Sequence, residues 1–228
     1  MIVLTGASGA IGSEIIGHLA KVDVVLGIYH STPPRTDTND RVRYVRVDLE
    51  DPRAITSFVK TERAALKKVT LVHAAVSKVD MLVAHVDLDA WDQMMRINLR
   101  ANVLMDQALL PCMMRQRWGR IIHFSSLGGT QGRPGTIAYS TCKAGLIGIS
   151  NVLAQEYARF HITSNIIVLG YFESRLFRAL QQREQQRLLA SIPSKTLGDV
   201  SNIANAISFL MQSDYVNGST IHVDGGAR

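Results

Sequence analysis

Short apolar runs alternate with stretches of helical periodicity along the whole chain, and this alternation is the strongest constraint on its fold. After an apolar opening at Ile2-Val3-Leu4, strands are expected over Val22–Tyr29, Arg43–Val47, Thr70–His73, Arg120–Phe124 and Ile162–Leu169. Helical patterns cover Ser13–Ala20, Arg53–Lys67, Ala90–Arg115, Thr136–Arg159 and Val200–Met211. Strand-helix alternation at this period implies parallel pairing through right-handed crossovers. The expected fold is α/β, a doubly wound parallel sheet with helices on both faces and any ligand at the carboxyl ends of the strands. With 228 residues, 46% of them hydrophobic, one domain over 1–228 suffices for a large core. Phe172–Thr196, charged and rich in Gln, has no sheet role and is expected to form a helical lid.

Composition removes several function classes. Cys112 and Cys142 are far apart and form no CxxC, so neither a disulfide framework nor a metal site is expected, and a cytoplasmic setting fits. The strand-like opening is too short and lacks the basic flank of a signal peptide. No run of about 20 apolar residues is present, so no membrane span is expected. The net charge of +6 is scattered. Its densest group, Arg115, Arg117 and Arg120, reads as a solvated helix end, without the basic stripe or aromatic motif of a nucleic-acid binder.

Thr5-Gly6-Ala7-Ser8-Gly9-Ala10-Ile11-Gly12 follows the first strand directly. Gly6 allows a tight turn, Gly9 a close backbone approach to a phosphate, and Gly12 the packing of helix on sheet. The helix start then offers N–H groups to a pyrophosphate. The spacing is GxxxGxG, and its place between strand and helix gives it weight. The second strand ends in Tyr29-His30-Ser31, with Arg35 beyond, where a ribose-binding carboxylate would mark NAD. With no carboxylate there, a 2′-phosphate is tolerated, and Ser31, His30 or Arg35 would bind it. NADP(H) is favoured, and NAD(H) stays open. Asp48 could accept from an adenine amino group, while Asp51 before Pro52 suits a helix N-cap.

Tyr139 and Lys143 stand four residues apart in a helical pattern, so phenol and ammonium share one face. A phenol, with its ordinary pKa near 10, is a poor acid–base group at neutral pH, and a neighbouring ammonium is expected to lower that pKa. Ser126 closes the strand ending in Phe124-Ser125, where its hydroxyl could hold a carbonyl oxygen. Asn98 sits mid-helix between Ile97 and Leu99, a place that suggests a buried hydrogen-bonding task.

Taken together, these residues resemble the short-chain dehydrogenase/reductase family over essentially the whole chain. Thr5–Gly12 resembles its TGxxxGxG, and Asn98, Ser126, Tyr139 and Lys143 match its catalytic positions. Gly218-Ser219-Thr220-Ile221-His222-Val223-Asp224-Gly225-Gly226 matches its closing GxTIxVDGG. The resemblance implies a Rossmann-type fold and a nicotinamide cofactor. The contacts implied for that cofactor are Gly6, Ser8, Gly9, Ile11, Gly12, Ser31, Asp48, Leu49, Ala74, Ala75, Tyr139, Lys143 and Ser174. It also implies Tyr139 as general acid or base, Lys143 as the group that lowers its pKa and bonds the nicotinamide ribose, Ser126 as the substrate-orienting hydroxyl, and Asn98 as holder of a relay water. Two departures stand out. His73-Ala74-Ala75-Val76 replaces NNAG, so Val76 is expected to crowd the cofactor or shift the loop, and a sheet-bracing Asn is lost. Leu169-Gly170 replaces PG, and Ser174 stands for a Thr.

Arg117-Trp118-Gly119-Arg120-Ile121-Ile122, Lys143-Ala144-Gly145-Leu146-Ile147-Gly148 and Ile203-Ala204-Asn205-Ala206 are most similar to 3-oxoacyl-(acyl carrier protein) reductases. That implies reduction of a carbonyl carried on acyl carrier protein. Arg117 matches a docking position, and Phe160 replaces the second. A homotetramer is implied, built through Ala90–Arg115, Thr136–Arg159 and the C-terminal segment. An idle nucleotide-binding or scaffolding member and an NAD-dependent alcohol dehydrogenase are the alternatives.

Overall fold

In the computed structural model, which describes residues 1–34 and 40–227, the alternation becomes one sheet of seven parallel strands. The strands are β1 (Ile2–Thr5), β2 (Val25–Tyr29), β3 (Val42–Arg46), β4 (Thr70–His73), β5 (Gly119–Ser126), β6 (Ile162–Leu169) and β7 (Thr220–Val223). Their order is β3-β2-β1-β4-β5-β6-β7, so the chain winds outward from β1 in both directions. The reversal leaves a crevice at the carboxyl ends of β1 and β4, where the glycine turn lies. Arg35, a candidate phosphate ligand above, lies outside the described residues.

Helices cover both faces because the central strands are apolar on both. Ile2, Leu4, Val72, Ile122 and Ile167 pack under α1 (Gly12–Val22) and α9 (Ser201–Gln212). Val3, Leu71 and Ile121 pack on the other side, under α2 (Pro52–Glu62), α4 (Ala101–Gln116) and α6 (Ile137–Tyr157). Asp51 caps α2 as expected, accepting from the Arg53 N–H with Pro52 next in line, a cap that stabilises by about 1 kcal/mol.

Several boundaries differ from expectation for local reasons. Helix α1 runs on through Val22, and β2 begins only at Val25. Asp23 makes the break: its carboxylate accepts from Val24 N–H and from the chain's terminal ammonium. The long helix from α3 (Leu88–Met95) into α4 contains a π turn over Arg96–Arg100 that periodicity does not reveal. Short α5 (Leu127–Gln131) and edge strand β7 carry too few periodic residues to announce themselves. Arg120 is not the solvated group expected. It is 4% exposed, stacks on Trp118 and donates to the carbonyls of Met211, Gly119 and His161.

The expected lid is helical, with α7 (Arg175–Arg178) and α8 (Gln182–Ser191). Its two ends are tied together by the bridge between Phe172 and Gly198, and Phe172 is buried in the core beneath α1 and α9. Among the described residues, no helix is long and apolar enough to cross a membrane.

Candidate active site

Two clefts run along the carboxyl edge of the sheet and share Ala10, Ala74 and Val76. The first, of about 450 Å³, is lined by Gly6, Ser8, Gly9, Ser31, Asp48, Leu49, Ala74 and Ala75. The second, of about 380 Å³, is lined by Ile11, Ser126, Tyr139, Lys143 and Ser174. Of the cofactor positions read from the sequence that are among the described residues, only Gly12 lines neither cleft. It acts from behind: a Cβ there would come 2.2 Å from the Gly6 carbonyl oxygen. Gly6 has φ +64°, and a Cβ on it would meet Ala75 Cα at 2.6 Å. Both positions exclude any side chain, so the turn lies flat against the loop after β4. Helix α1 then begins with no side-chain cap, as suits a helix start reserved for a phosphate. A long dinucleotide fits this pair of joined clefts.

The expected effects of the loop change at 73–76 are partly corrected. The loop is still braced to β1, because Thr5 Oγ1 accepts from the N–H groups of Ala74 and Ala75 at 3.1 and 3.2 Å. Val76 does not plug the clefts; it is 51% exposed and lines both. Asn98, in the π turn, is buried. Its Oδ1 accepts from Ser77 N–H and its Nδ2 donates to Ser77 C=O, each at 2.7 Å. Both ends of the amide are thus spent on pinning this loop, and the Asn98 carbonyl accepts from Asn102. The side chain acts as a clamp and lines neither cleft.

Tyr139 and Lys143 lie on one face of α6 as the spacing requires. Ser126, at the end of β5, lines the same cleft as Tyr139 and accepts from Gly128 N–H to start α5. Lys143 is 5% exposed, with Nζ 5.8 Å from the Tyr139 ring centre and donating to the Phe124 carbonyl at 2.7 Å. Burial pushes the Lys143 ammonium down to about 8. Contrary to the sequence expectation, the Tyr139 phenol is raised: burial dominates, the Ser126 hydrogen bond lowers it, and Asp80 raises it. A phenol held above its ordinary range stays protonated at neutral pH, which suits a proton donor.

Three features escaped sequence reading. Lys78 and Arg133 flank the pocket that Ser126 and Tyr139 line. Lys78 Nζ sits 5.9 Å from the Tyr139 ring centre, and Arg133 hydrogen-bonds the Tyr171 hydroxyl. Arg46 pairs in register with Tyr29, and its Nε donates to the His30 carbonyl at 3.1 Å. That sets a guanidinium at the end of β2, and only strand register, invisible in the sequence, brings it there.

Comparison with known proteins agrees with this geometry. Residues 29–228 match the family described as enoyl-(acyl carrier protein) reductase. The chain is 33% identical to the 3-oxoacyl-[acyl-carrier-protein] reductase of Escherichia coli, over 98% of this chain and 95% of the relative. It is 34% identical to the Rickettsia bellii protein of that name and 33% to nodulation protein G of a Rhizobium species, with the same coverage. A parallel sheet with a glycine turn, two joined clefts and a Tyr-Lys pair, matched along nearly its full length by such relatives, places this chain in the short-chain dehydrogenase/reductase family of NAD(P)-dependent oxidoreductases.

Proposed function

We propose that the protein reduces the ketone of a 3-oxoacyl thioester to the alcohol, using NADPH, with Tyr139 as proton donor. The observation that carries this reading is the Ser126–Tyr139–Lys143 arrangement in one of two joined clefts, the other of which is lined by His30 and Ser31, with Arg46 held beside it by its bond to the His30 carbonyl. The nicotinamide, when bound, supplies the hydride. The chain supplies the rest. Ser126 donates a hydrogen bond to the substrate oxygen and orients it. Tyr139 gives its proton to that oxygen as negative charge develops. Lys143 stabilises the phenolate left behind, and Asn98 keeps the loop at Ser77 in place beside them. Gly6, Ser8 and Gly9 would hold the cofactor's pyrophosphate, and Asp48 and Leu49 its adenine.

The apolar side of the catalytic cleft, with Tyr171, Phe172, Phe177, Leu180 and Leu188, suits an acyl chain. A carrier protein is acidic, so a basic docking face would favour it. Arg117 donates to the Arg159 carbonyl, and the Arg159 guanidinium lies 4.9 Å from the ring centre of Phe160. A cation therefore stands next to the position where Phe160 replaces one. A tetramer would bury the open groove between α4 and α6, where Leu110, Met114, Ile149 and Val152 line an apolar floor. A cytoplasmic location accords with two free, buried thiols.

Steady-state kinetics with an acetoacetyl thioester test the proposal. kcat/KM should be at least about tenfold higher with NADPH than with NADH, a gap of about 1.4 kcal/mol. Arg46→Glu should abolish that preference by raising KM for NADPH while kcat changes little. An equal or greater rate with NADH in the unaltered protein would contradict the cofactor assignment.

A further inference from the structure

Behind the catalytic pair, under α4 and α6, lies a set of ionisable groups that the reaction above does not use. His73 ends β4 and His123 sits in β5 at the paired register, so their rings stack in parallel planes with centres 4.6 Å apart. Asp106 on α4 faces both. Its Oδ1 is 2.9 Å from His73 Nε2, and its Oδ2 is 3.8 Å from His123 Nε2. None of the three side chains is more than 3% exposed. Asn102, one turn earlier on α4, presents its Oδ1 to His123 Nδ1 at 3.3 Å, so that nitrogen carries the ring hydrogen. His123 Nε2 is then a bare lone pair. It and Asp106 Oδ2 are both buried without a partner. Two buried acceptors facing each other call for one proton between them.

A metal ion would also draw on these atoms, but the geometry disfavours one. In-plane lone pairs on parallel rings do not converge on a single point. The Lys143 charge already acts on both imidazoles, and a dication with one carboxylate would add uncompensated charge to a buried site. A proton on Asp106 adds no charge and needs only a small side-chain shift to close the 3.8 Å gap to His123 Nε2. Oδ2–H would then donate to His123 Nε2 while Oδ1 accepts from His73 Nε2–H, and both unpartnered atoms would be satisfied. Burial acts in the same direction, pushing the Asp106 carboxyl up to about 7 and both imidazoles down to about 3. The other titratable groups around the cluster are on α6: Lys143 and Cys142 toward the active site, Glu156 and Tyr157 along the groove that Asp106 also lines.

We propose that Asp106 is a positioning residue that holds one proton between His73 and His123 in mildly acidic solution and, by releasing it as the pH rises, keeps the nearby Lys143 charged. On release the Oδ2–H bond breaks, the proton leaves through the groove between α4 and α6, and a carboxylate remains against the two imidazoles on which the Lys143 charge acts. This coupling rests on the reading of Tyr139 and Lys143 given above; the shared proton does not.

Infrared difference spectra of the full-length protein between pH 6 and pH 9 read the proton directly. A protonated-carboxyl band that disappears on titration, and that is absent from Asp106→Asn, is expected. No such band in the wild type, or its survival in the variant, overturns the proposal. The amide reproduces the donor and acceptor pattern of the protonated acid, so Asp106→Asn should fold with a melting temperature near wild type at pH 6. A variant that fails to fold overturns the proposal, as does a metal ion retained at one per chain after dialysis. Coupling is read from the alkaline limb of kcat/KM and of NADPH binding. In Asp106→Asn that limb should fall earlier, by about half a pH unit or more; an unmoved limb overturns the coupling. If the wild type reduces no ketone at all, the proposed reaction fails, while the infrared titration still decides where the proton lies.

Discussion

Tyr139→Phe is expected to lower kcat for ketone reduction by about 10³, with NADPH binding held within a few fold. The substitution removes one hydroxyl and leaves the ring on its face of α6 beside Ser126 and Lys143. Ser126 cannot take over as donor, because a hydroxyl oxygen with no base beside it does not give up its proton at neutral pH. The protonated state of the phenol matters as much as its place. Burial and Asp80 hold it above its ordinary range, against the Ser126 hydrogen bond. Stopped-flow measurement of NADPH consumption, with cofactor binding followed by fluorescence, separates the two effects. Loss of binding together with turnover would show that Tyr139 is structural, and wild-type turnover would remove it from the chemistry.

Lys143→Met should abolish turnover to a similar extent and yet leave a protein that melts no lower than wild type at pH 7. The cause is electrostatic. Lys143 is buried, and its ammonium is pushed down to about 8. Between that value and its ordinary 10.5, the folded state binds fewer protons than the unfolded chain. Stability therefore rises with pH across this window, and below it the folded protein carries a penalty for keeping the charge. A shift of this size corresponds to about 3 kcal/mol. The hydrogen bond to the Phe124 carbonyl offsets part of the gain from removing the charge, since such charged bonds contribute about 1.5–3 kcal/mol. Methionine fills comparable space without a charge. Thermal melts at pH 7 test this, and a fall of more than about 4 °C, roughly 1–2 kcal/mol at this chain length, would contradict it.

The layout of the sheet was readable because parallel strands buried on both faces leave continuous apolar runs, as Thr70–His73 and Ile162–Leu169 show. The principal site positions were readable because turn and helix geometry dictate local spacing: Gly6 and Gly12 cannot carry a side chain, and Tyr139 and Lys143 must share a face. What escaped depends on pairing between distant segments. Arg46 meets the end of β2 only through strand register. His73, Asp106 and His123 come together because β4 and β5 pair in register and α4 crosses them, and no local pattern announces that meeting. The role of Asn98 depended on the π turn, which turns its amide onto Ser77. The direction of the Tyr139 shift depended on how deeply the phenol is buried, which sequence spacing does not contain.

Product analysis separates ketone reduction from enoyl reduction. The family that residues 29–228 match is described by an enoyl reductase, whereas the function proposed above has Tyr139 protonate a carbonyl oxygen. The protein should be supplied with NADPH and equal amounts of a 3-oxoacyl thioester and a trans-2-enoyl thioester, and the products separated. The expected product is 3-hydroxyacyl thioester, formed in step with NADPH consumption, with the enoyl thioester recovered unchanged. Saturated acyl thioester as the main product, or no NADPH consumption with either substrate, would contradict it.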